Sequence, residues 1–317
     1  MNTSRNLRAG VAAISLLALA GTAFAGPTLA QDEMSGEGKS LSIITPFYAS
    51  QPATKEAVDL FIADAESRGY ETKMVDTAND NAAVSGEITS AIAQDFDAII
   101  LAFAFSQEIG EGLAAAAEAD VPVFGLDAGG VAEPMLVNVT TDPGELGSLS
   151  AQAIIDALGG PGEVAMIHFD PFEPVRLRGV TATELFEAYD NEKVEYIQGD
   201  PADATGFAKA TVLDLLVKYP EGELDAVWAG WDATALGAFQ ATQDTDRSEV
   251  LVTGVDGQDF AVAEVAKGEN WIATVRQDWP AVATTLVDIV DEYFAGTVPE
   301  ETTAFVPATL VTAENAQ

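Results

Sequence analysis

The 317-residue chain contains 51 acidic and 14 basic residues, one histidine and no cysteine, which gives a formal net charge of −37. A field of this sign and size repels phosphate backbones and anionic lipid surfaces, so it argues against nucleic-acid binding and membrane docking. The lack of cysteine excludes disulfides, thiolate metal sites and thiol nucleophiles, while 48% hydrophobic residues are enough for a packed core.

The N-terminus has the layout of a secretory signal peptide. Arg5 and Arg8 precede an apolar run over residues 9–25, which ends in small residues before Gly26. A basic start, a short apolar middle and small residues at the cut are typical of cleaved leaders, whereas a membrane-spanning helix needs about 20 strongly apolar residues. We predict that residues 1–30 are a leader, cut after residue 25 or 30, and that the mature protein is exported and soluble, without a lipid anchor.

After the leader, short apolar runs alternate with longer segments of helical periodicity. The run 98–102 is continuously apolar, as expected of a parallel strand covered on both faces. Val58, Phe61, Ile62 and Ala65 have the spacing of a helix packed on a sheet. The first predicted series is strand 41–45, helix 55–68, strand 71–76, helix 82–94, strand 97–102, helix 108–119, strand 121–126 and strand 135–139.

A second series of the same kind follows. Two consecutive sets of strand-helix units predict an α/β fold with two doubly wound, three-layer lobes, and a single large α/β domain is the alternative. The second series is helix 144–158, strand 163–169, helix 175–191, strand 194–198, helix 205–219, strand 226–229, helix 233–242 and strand 250–255. The tail adds strand 272–275, helix 281–294 and strand 303–307, which we expect to complete the two lobes.

Common catalytic and cofactor motifs are absent from this sequence. His168 is the single histidine, so metal sites built from several histidines are excluded, and no glycine-x-serine-x-glycine elbow accompanies it. We expect His168 to be packed near a strand end. The glycine-rich segment 159–162 leads from a helix into a strand, which indicates a helix-stop turn and not a phosphate loop. We therefore expect neither an enzyme nor a cofactor.

Aromatic and acidic residues occur at the predicted strand ends. Ligands of open α/β sheets bind beyond the carboxyl ends of the strands. Aromatic rings suit the C–H faces of a polyhydroxylated ligand, and carboxylates suit its hydroxyl groups. The strand-end residues that we predict to contact such a ligand are Phe47, Phe103, Asp127, Phe172, Trp231 and Asp256.

Two arginines stand alone in the middle of the chain. Arg176 and Arg178 are the only basic residues between Lys73 and Lys193, and both lie early in a predicted helix. A positive charge there opposes the helix dipole, whereas a guanidinium fork can donate to ligand oxygens. Residues two apart do not share a helix face, so one arginine can bind the ligand while the other makes an ion pair. We predict that Arg176 is the ligand contact.

Several segments together are similar to the ribose-type (type I) periplasmic solute-binding proteins of sugar ABC transporters, over residues 39 to about 307. Each segment is weak alone, and their order and spacing carry the resemblance. They are Arg68-Gly69-Tyr70, Gly125-Leu126-Asp127, Arg176-Leu177-Arg178-Gly179, Asp200-Pro201-Ala202-Asp203, the run 229–238 around Trp231-Asp232, Gly254-Val255-Asp256-Gly257 and the run 273–277 that ends in Arg276-Gln277.

The resemblance implies that Asp127, Arg176, Asp256 and Gln277 hydrogen-bond sugar hydroxyls. Other family positions are altered, and we include Gln51, from one of the altered segments, among the predicted site residues. Gln51-Pro52-Ala53-Thr54 replaces an Asn-Pro-Phe-Phe segment that supplies stacking rings, Phe103 and Trp231 replace asparagines, Ala128 replaces an arginine, and Ala204 replaces an aromatic residue. These changes favour a monosaccharide other than ribose, or a polyol, and leave a non-sugar ligand open.

The resemblance also implies a particular organisation. Three hinge crossings are expected near Asp142, Gln277 and Pro307, between an N-terminal lobe of residues 39–142 plus 278–306 and a C-terminal lobe of residues 143–277 plus 307–317. The lobes would close on the ligand, and the closed monomer would dock on the permease of an ABC importer. The alternatives are a periplasmic sensor that presents its ligand to a receptor and an exported carbohydrate-active enzyme.

Overall fold

The computed structural model describes residues 35–316, and the predicted signal peptide, residues 1–30, lies outside them. The strands are β1 (Ser40–Thr45), β2 (Glu71–Asp76), β3 (Ala98–Ala102), β4 (Val123–Leu126), β5 (Val137–Thr141), β6 (Glu163–His168), β7 (Glu192–Gln198), β8 (Ala226–Ala229), β9 (Leu251–Asp256), β10 (Trp271–Gln277), β11 (Thr303–Val306) and β12 (Ala308–Thr312). The helices are α1 (Pro52–Ser67), α2 (Asn81–Ala93), α3 (Gly110–Glu118), α4 (Pro143–Leu158), α5 (Glu173–Ala188), α6 (Ala204–Lys218), α7 (Asp232–Asp244), α8 (Asp259–Val265) and α9 (Trp279–Phe294).

The strands form two separate six-stranded sheets, as the two predicted series require. The first has the order β2-β1-β3-β4-β5-β11 and is parallel throughout. The second has the order β7-β6-β8-β9-β10-β12, in which only the β10–β12 pair is antiparallel. Both orders are doubly wound, so the predicted α/β fold class is confirmed.

Helices cover both faces of each sheet. In the first sheet, α1 and α9 pack on one face and α2 and α3 on the other, with Phe61 and Ile88 among the buried residues. In the second, α6 and α7 cover one face and α4 and α5 the other, around Trp228. This arrangement explains the continuously apolar central strands, such as β3, β4 and β8, because they are buried on both faces. No helix in residues 35–316 is both long enough and apolar enough to cross a membrane.

The chain passes between the two sheets three times. It leaves the first sheet after β5 to form α4 on the second, and returns after β10 to form α9 on the first. It crosses again at Pro307, because β11 pairs with β5 whereas β12 pairs with β10. The carboxyl ends of the strands in both sheets meet at these connections, which places the strand-end residues of the two sheets opposite one another.

Acidic side chains begin several of the helices. The carboxylates of Asp80, Asp142, Asp203 and Asp278 accept hydrogen bonds from backbone N–H groups in the first turns of α2, α4, α6 and α9. Such caps satisfy backbone donors that a helix leaves unpaired. Gly159 ends α4 with φ of 65°, and its N–H donates to the Ile155 carbonyl, which confirms the predicted helix-stop turn.

One close helix contact fixes the position of α5. A Cβ atom added at Gly147 on α4 would lie 2.3 Å from the carbonyl oxygen of Arg178 on α5, so only glycine fits between the two backbones. Val175, Arg178, Gly179, Ala182 and Phe186 share the buried face of α5. The Arg178 side chain is therefore directed into the protein from a helix that is held tightly against its neighbour.

Candidate functional site

A cavity with about 480 Å³ of empty space, part of it open to solvent, lies where the strand ends of the two sheets meet. Its walls come from both sheets, because residues at or after the ends of β1, β3 and β4 face residues at or after the ends of β6, β8 and β9. This is the location expected of a ligand site in doubly wound folds. The lining residues are Phe47, Gln51, Ala53, Thr54, Phe103, Asp127, Phe169, Phe172, Val175, Arg178, Pro201, Trp231 and Asp256.

Aromatic rings form much of the wall and connect the two sheets. Phe103 stacks on Phe172 with ring centroids 6.4 Å apart, and Phe105, behind the lining, lies 5.5 Å from Phe172 and 6.0 Å from Phe169. Phe47 packs against Phe105 at 5.6 Å. Since one buried cluster contains rings from both sheets, the strand ends are in direct apolar contact.

The charged part of the wall centres on Arg178. Its Nη1 donates to the Gly230 carbonyl oxygen at 3.0 Å and to Asp256 Oδ1 at 3.4 Å. Gln277, which is buried behind the wall, donates from Nε2 to the same Asp256 oxygen at 3.0 Å. A buried ion pair needs such additional hydrogen bonds to offset the cost of removing both charges from water.

Asp127 is the second carboxylate of the wall. Thr140 donates its hydroxyl proton to Asp127 Oδ1. Burial raises the pKa of Asp127, while the nearby Arg178 charge and the Thr140 hydrogen bond act in the opposite direction. The charged form of Asp127 is therefore destabilised by its removal from water.

Asp256 is perturbed in the same way. Burial raises its pKa to about 6, against the opposing effects of the Arg178 charge and the Gln277 hydrogen bond. Directly behind it, Asp232 accepts hydrogen bonds from the Thr274 hydroxyl at 2.7 Å and the Gln258 backbone N–H at 2.9 Å. Burial, and then the neighbouring Asp256 charge, raise the pKa of Asp232 well above its usual range.

Three of the cavity residues have unusual backbone conformations. Phe103, Asp127 and Asp256 have φ angles of 53°, 46° and 120°, in a region that residues with a side chain seldom adopt. Each follows or ends a strand, where the chain turns sharply towards the cavity. Strained conformations of this kind persist where the surrounding structure enforces them, and they are typical of functional sites.

Several buried polar atoms at or beside the cavity have no hydrogen-bond partner among the described residues. These atoms are two donors, Arg178 Nε and Trp231 Nε1, and two acceptors, Asp127 Oδ2 and Gln277 Oε1. Buried polar atoms are rarely left unpaired, since each costs about 1 to 3 kcal/mol. Donors and acceptors of this kind, between aromatic walls, fit a small ligand that carries hydroxyl groups.

Seven of the nine predicted site residues line the cavity: Phe47, Gln51, Phe103, Asp127, Phe172, Trp231 and Asp256. The Gln51 amide donates to the Pro201 carbonyl oxygen, so it bridges the two walls. Gln277 lies behind the wall and holds Asp256. His168, which was expected to be packed, is buried at the end of β6 with its Nδ1 2.8 Å from Asp170 Oδ1.

Arg176 neither lines the cavity nor supports a residue that does, so its predicted place in the site is corrected. It lies outside the cavity with 43% of its side chain exposed, where Nη2 donates to Glu173 Oε2 at 3.2 Å and Nη1 to the Asp170 carbonyl oxygen at 3.3 Å. Two residues correspond to about 200° around a helix, so Arg176 points away when Arg178 points inward. The arginine in the cavity is Arg178, and Arg176 makes the ion pair.

The signal that distinguishes the two arginines is the helix face. Val175, Gly179, Ala182 and Phe186 form an apolar stripe with helical spacing, and Arg178 lies on that stripe whereas Arg176 does not. Phe169, Val175 and Pro201 also line the cavity, although they are not among the residues predicted from the sequence. Phe169 follows β6 directly and could have been included, whereas Pro201 enters from a loop whose course the sequence does not indicate.

A further contact joins the two sides of the molecule beside the cavity. Gln258, between β9 and α8, donates from Nε2 to Glu56 Oε2 on α1 at 2.7 Å. Burial raises the pKa of Glu56, and this hydrogen bond opposes the rise. Within residues 35–316, no group of three or more histidine, cysteine or acidic side chains is arranged to hold a metal ion.

Comparisons with a family model and with known protein sequences both match this chain to binding proteins. Residues 42–297 match the family model described as the periplasmic binding protein domain. The ribose import binding protein of Bacillus subtilis is 27% identical over 301 residues, which cover 91% of this chain and 93% of that protein. The D-apiose import binding protein of Paraburkholderia graminis is 27% identical over 283 residues, or 87% of this chain and 88% of that protein.

The fold is also found among solved structures. The structure of an ABC transporter solute binding protein from Agrobacterium vitis with bound allitol superposes with a TM-score of 0.82 at 24% identity. The match covers 89% of this chain and 97% of that one, so the two folds correspond over nearly their whole length.

Proposed function

The chain belongs to the periplasmic binding protein domain family, and from this premise we propose that it captures a small polyhydroxylated ligand, a monosaccharide or a polyol, for an ABC importer. The observation that carries the proposal is the cavity between the two sheets. There, buried polar atoms of Asp127, Arg178 and Trp231 that find no partner within residues 35–316 are set between aromatic rings. The relatives named for ribose and D-apiose import support the same class of ligand.

We propose the following ligand contacts. Asp127 and Asp256 accept hydrogen bonds from ligand hydroxyls, Arg178 and Trp231 donate to ligand oxygens, and the phenylalanine rings cover C–H faces. Arg178 takes the role that the sequence assigned to Arg176. Gln277 acts through Asp256, whose carboxylate it orients.

We also propose that the two sheets belong to two lobes that close on the ligand. The boundaries remain those predicted from the sequence: residues 39–142 plus 278–306, and residues 143–277 plus 307–317. The three chain crossings would act as the hinge, and the Phe103–Phe172 stack with the Gln51–Pro201 and Gln258–Glu56 hydrogen bonds would hold the closed form. Closure excludes water from the cavity, which strengthens every polar contact inside it.

In this proposal the mature protein is an exported monomer in the periplasm that binds its ligand without chemical change. The closed form would dock on the permease of the importer. Its high negative charge suits a freely diffusing protein, because like-charged molecules repel one another and stay apart.

A thermal-shift screen of the mature protein tests this function. The panel contains sugars, polyols, nucleosides and amino acids, and a ligand at 100 times its dissociation constant adds about 2.7 kcal/mol to the free energy of unfolding. We expect stabilisation by at least one sugar or polyol, and chromatography should recover that ligand unchanged after incubation. Stabilisation only by compounds of another class, or turnover of the ligand, would contradict the proposal.

A further inference from the structure

The cavity contains more buried acid than buried base. Asp127 and Asp256 both line it, with 1% and 6% of their surface exposed, and Arg178, 2% exposed, is the one basic residue among the described lining residues. Asp232 lies behind Asp256 and adds a third buried carboxyl group. Even if Asp232 is taken as protonated, two carboxylates share one guanidinium.

The excess negative charge is concentrated at Asp127. Arg178 makes its hydrogen bonds to Asp256 and to the Gly230 carbonyl oxygen, not to Asp127. Asp127 Oδ1 accepts from Thr140, and its Oδ2 is buried without a partner among the described residues. A buried, uncompensated carboxylate is costly, and a positive charge within hydrogen-bond distance removes most of that cost.

The opposite wall requires a different ligand group. Arg178 Nε and Trp231 Nε1 are buried donors without partners in the described part of the chain, so they need oxygen acceptors. Phe103, Phe172 and Trp231 line the same cavity, and the π face of an aromatic ring attracts cations as well as C–H groups. The cavity thus combines acceptors for one cation with donors for neutral oxygens.

We propose that the natural ligand is an amino-substituted sugar or polyol, whose protonated nitrogen donates to Asp127 while its hydroxyl oxygens accept from Arg178 and Trp231. This inference rests on the proposed function and specifies the ligand class for the same cavity. A neutral polyol of the same shape would leave the Asp127 charge compensated only by Arg178, which Asp256 shares, or would require the carboxylate to take up a proton. A cationic ligand supplies the positive charge itself, so Asp127 is compensated without taking up a proton.

Calorimetric titration of matched pairs at neutral pH tests the inference. The pairs are D-glucosamine and D-glucose, D-galactosamine and D-galactose, and D-glucamine and D-sorbitol. We expect at least one amino compound to bind about tenfold or more tightly than its hydroxyl counterpart, because its ammonium group adds an ion pair with Asp127 to the hydrogen bond that a hydroxyl group also makes.

Two variants locate the effect. Asp127→Asn keeps the acceptor for Thr140 and tolerates the positive φ, so it changes little except the charge. It should reduce the amino-to-hydroxyl affinity ratio by about tenfold or more. Asp214→Asn removes the same charge from an exposed position on α6 and should leave that ratio unchanged.

Proton uptake gives a second readout that does not depend on a variant. Titration in buffers of different ionisation enthalpy measures how many protons the complex takes up on binding. Binding of a neutral ligand should be coupled to more proton uptake by the protein than binding of its amino counterpart in the protonated form. Equal or tighter binding of the neutral member in every pair that binds, or an affinity ratio that Asp127→Asn does not alter, overturns this inference and leaves the proposed function standing. If no compound of the panel or of the wider sugar and polyol screen binds, both fail.

Discussion

Arg178 Nη1 lies 3.4 Å from Asp256 Oδ1, in the wall where the strand ends of the two sheets meet. Both side chains are buried, so each is the main charge compensation for the other. The pair is completed by the Gly230 carbonyl oxygen and the Gln277 amide. Removal of one member leaves the other buried and uncompensated, which makes this pair the part of the site most sensitive to substitution.

Asp256 should make the stability of the ligand-free protein fall as pH rises. Burial raises its pKa from 3.8 to about 6, so between these values the folded state holds a proton that the unfolded state has lost. The stabilising contribution of the protonated carboxyl is complete below pH 3.8 and is lost as pH rises through about 6. The difference amounts to about 3 kcal/mol at most.

The measurement is the free energy of unfolding of the wild type and of Asp256→Asn across this pH range. The stability of the wild type relative to the variant should decrease between pH 3.8 and about 6, because asparagine does not titrate. Carboxyl groups that do not interact with Asp256 contribute equally to both proteins and cancel in the difference, whereas the loss of the Asp256 charge also lowers the pKa of Asp232, which changes the difference in the same direction. A difference that stays constant, or rises with pH, would show that the Asp256 carboxyl is not destabilised by burial.

Trp231→Phe tests the indole N–H as a ligand donor. The substitution keeps an aromatic wall and removes Nε1, which has no partner among the described residues. We expect the affinity for the best ligand to fall by about fivefold, the effect of one net hydrogen bond. Trp228→Phe is the matched control: its Nε1 donates to Ser150 Oγ at 2.8 Å inside the second sheet's core, so that variant should lose stability and keep its affinity.

The hydrogen bond from Gln258 to Glu56 should slow ligand release without any contact to the ligand. It joins the two sides of the molecule at 2.7 Å, and Gln258 is not part of the cavity lining. We expect Gln258→Ala to increase the dissociation rate constant about fivefold, because the closed form loses one charge-assisted hydrogen bond.

Stopped-flow release kinetics measure this effect. Gln243→Ala is the control, since Gln243 donates to Asn270 at 2.9 Å within the second sheet's own layer. Its release rate should equal that of the wild type. Equal rates for all three proteins would mean that the Gln258 contact does not contribute to the closed form.

Periodicity was sufficient for most of the fold because the strands are buried on both faces and the helices present one apolar stripe. It missed α8, which has only seven residues, and β12, an edge strand whose side chains are mostly accessible. Such short or exposed elements carry little pattern, since tertiary pairing decides their structure. The pairing of β12 with β10 depends on chain crossings that no local signal specifies.

The site was predictable where strand ends define it and less so elsewhere. Phe103, Asp127 and Asp256 follow from the rule that ligands bind beyond strand ends. The choice between Arg176 and Arg178 depended on the orientation of α5, which the apolar stripe of that helix records. The roles of Gln51 and Gln277, whose amides bind Pro201 and Asp256, depend on contacts between distant parts of the chain that only the structure provides.

The most direct test is calorimetric titration of the best ligand from the screen into the wild type, Arg178→Ala and Arg176→Ala, with folding checked by circular dichroism. Removal of a buried, hydrogen-bonded charge costs about 2 to 5 kcal/mol, so Arg178→Ala should weaken binding about 100-fold. Arg176→Ala removes an exposed ion pair and should change the affinity by less than about threefold. Binding by folded Arg178→Ala at wild-type affinity, or an equal loss in Arg176→Ala, would contradict the assignment of the cavity as the ligand site.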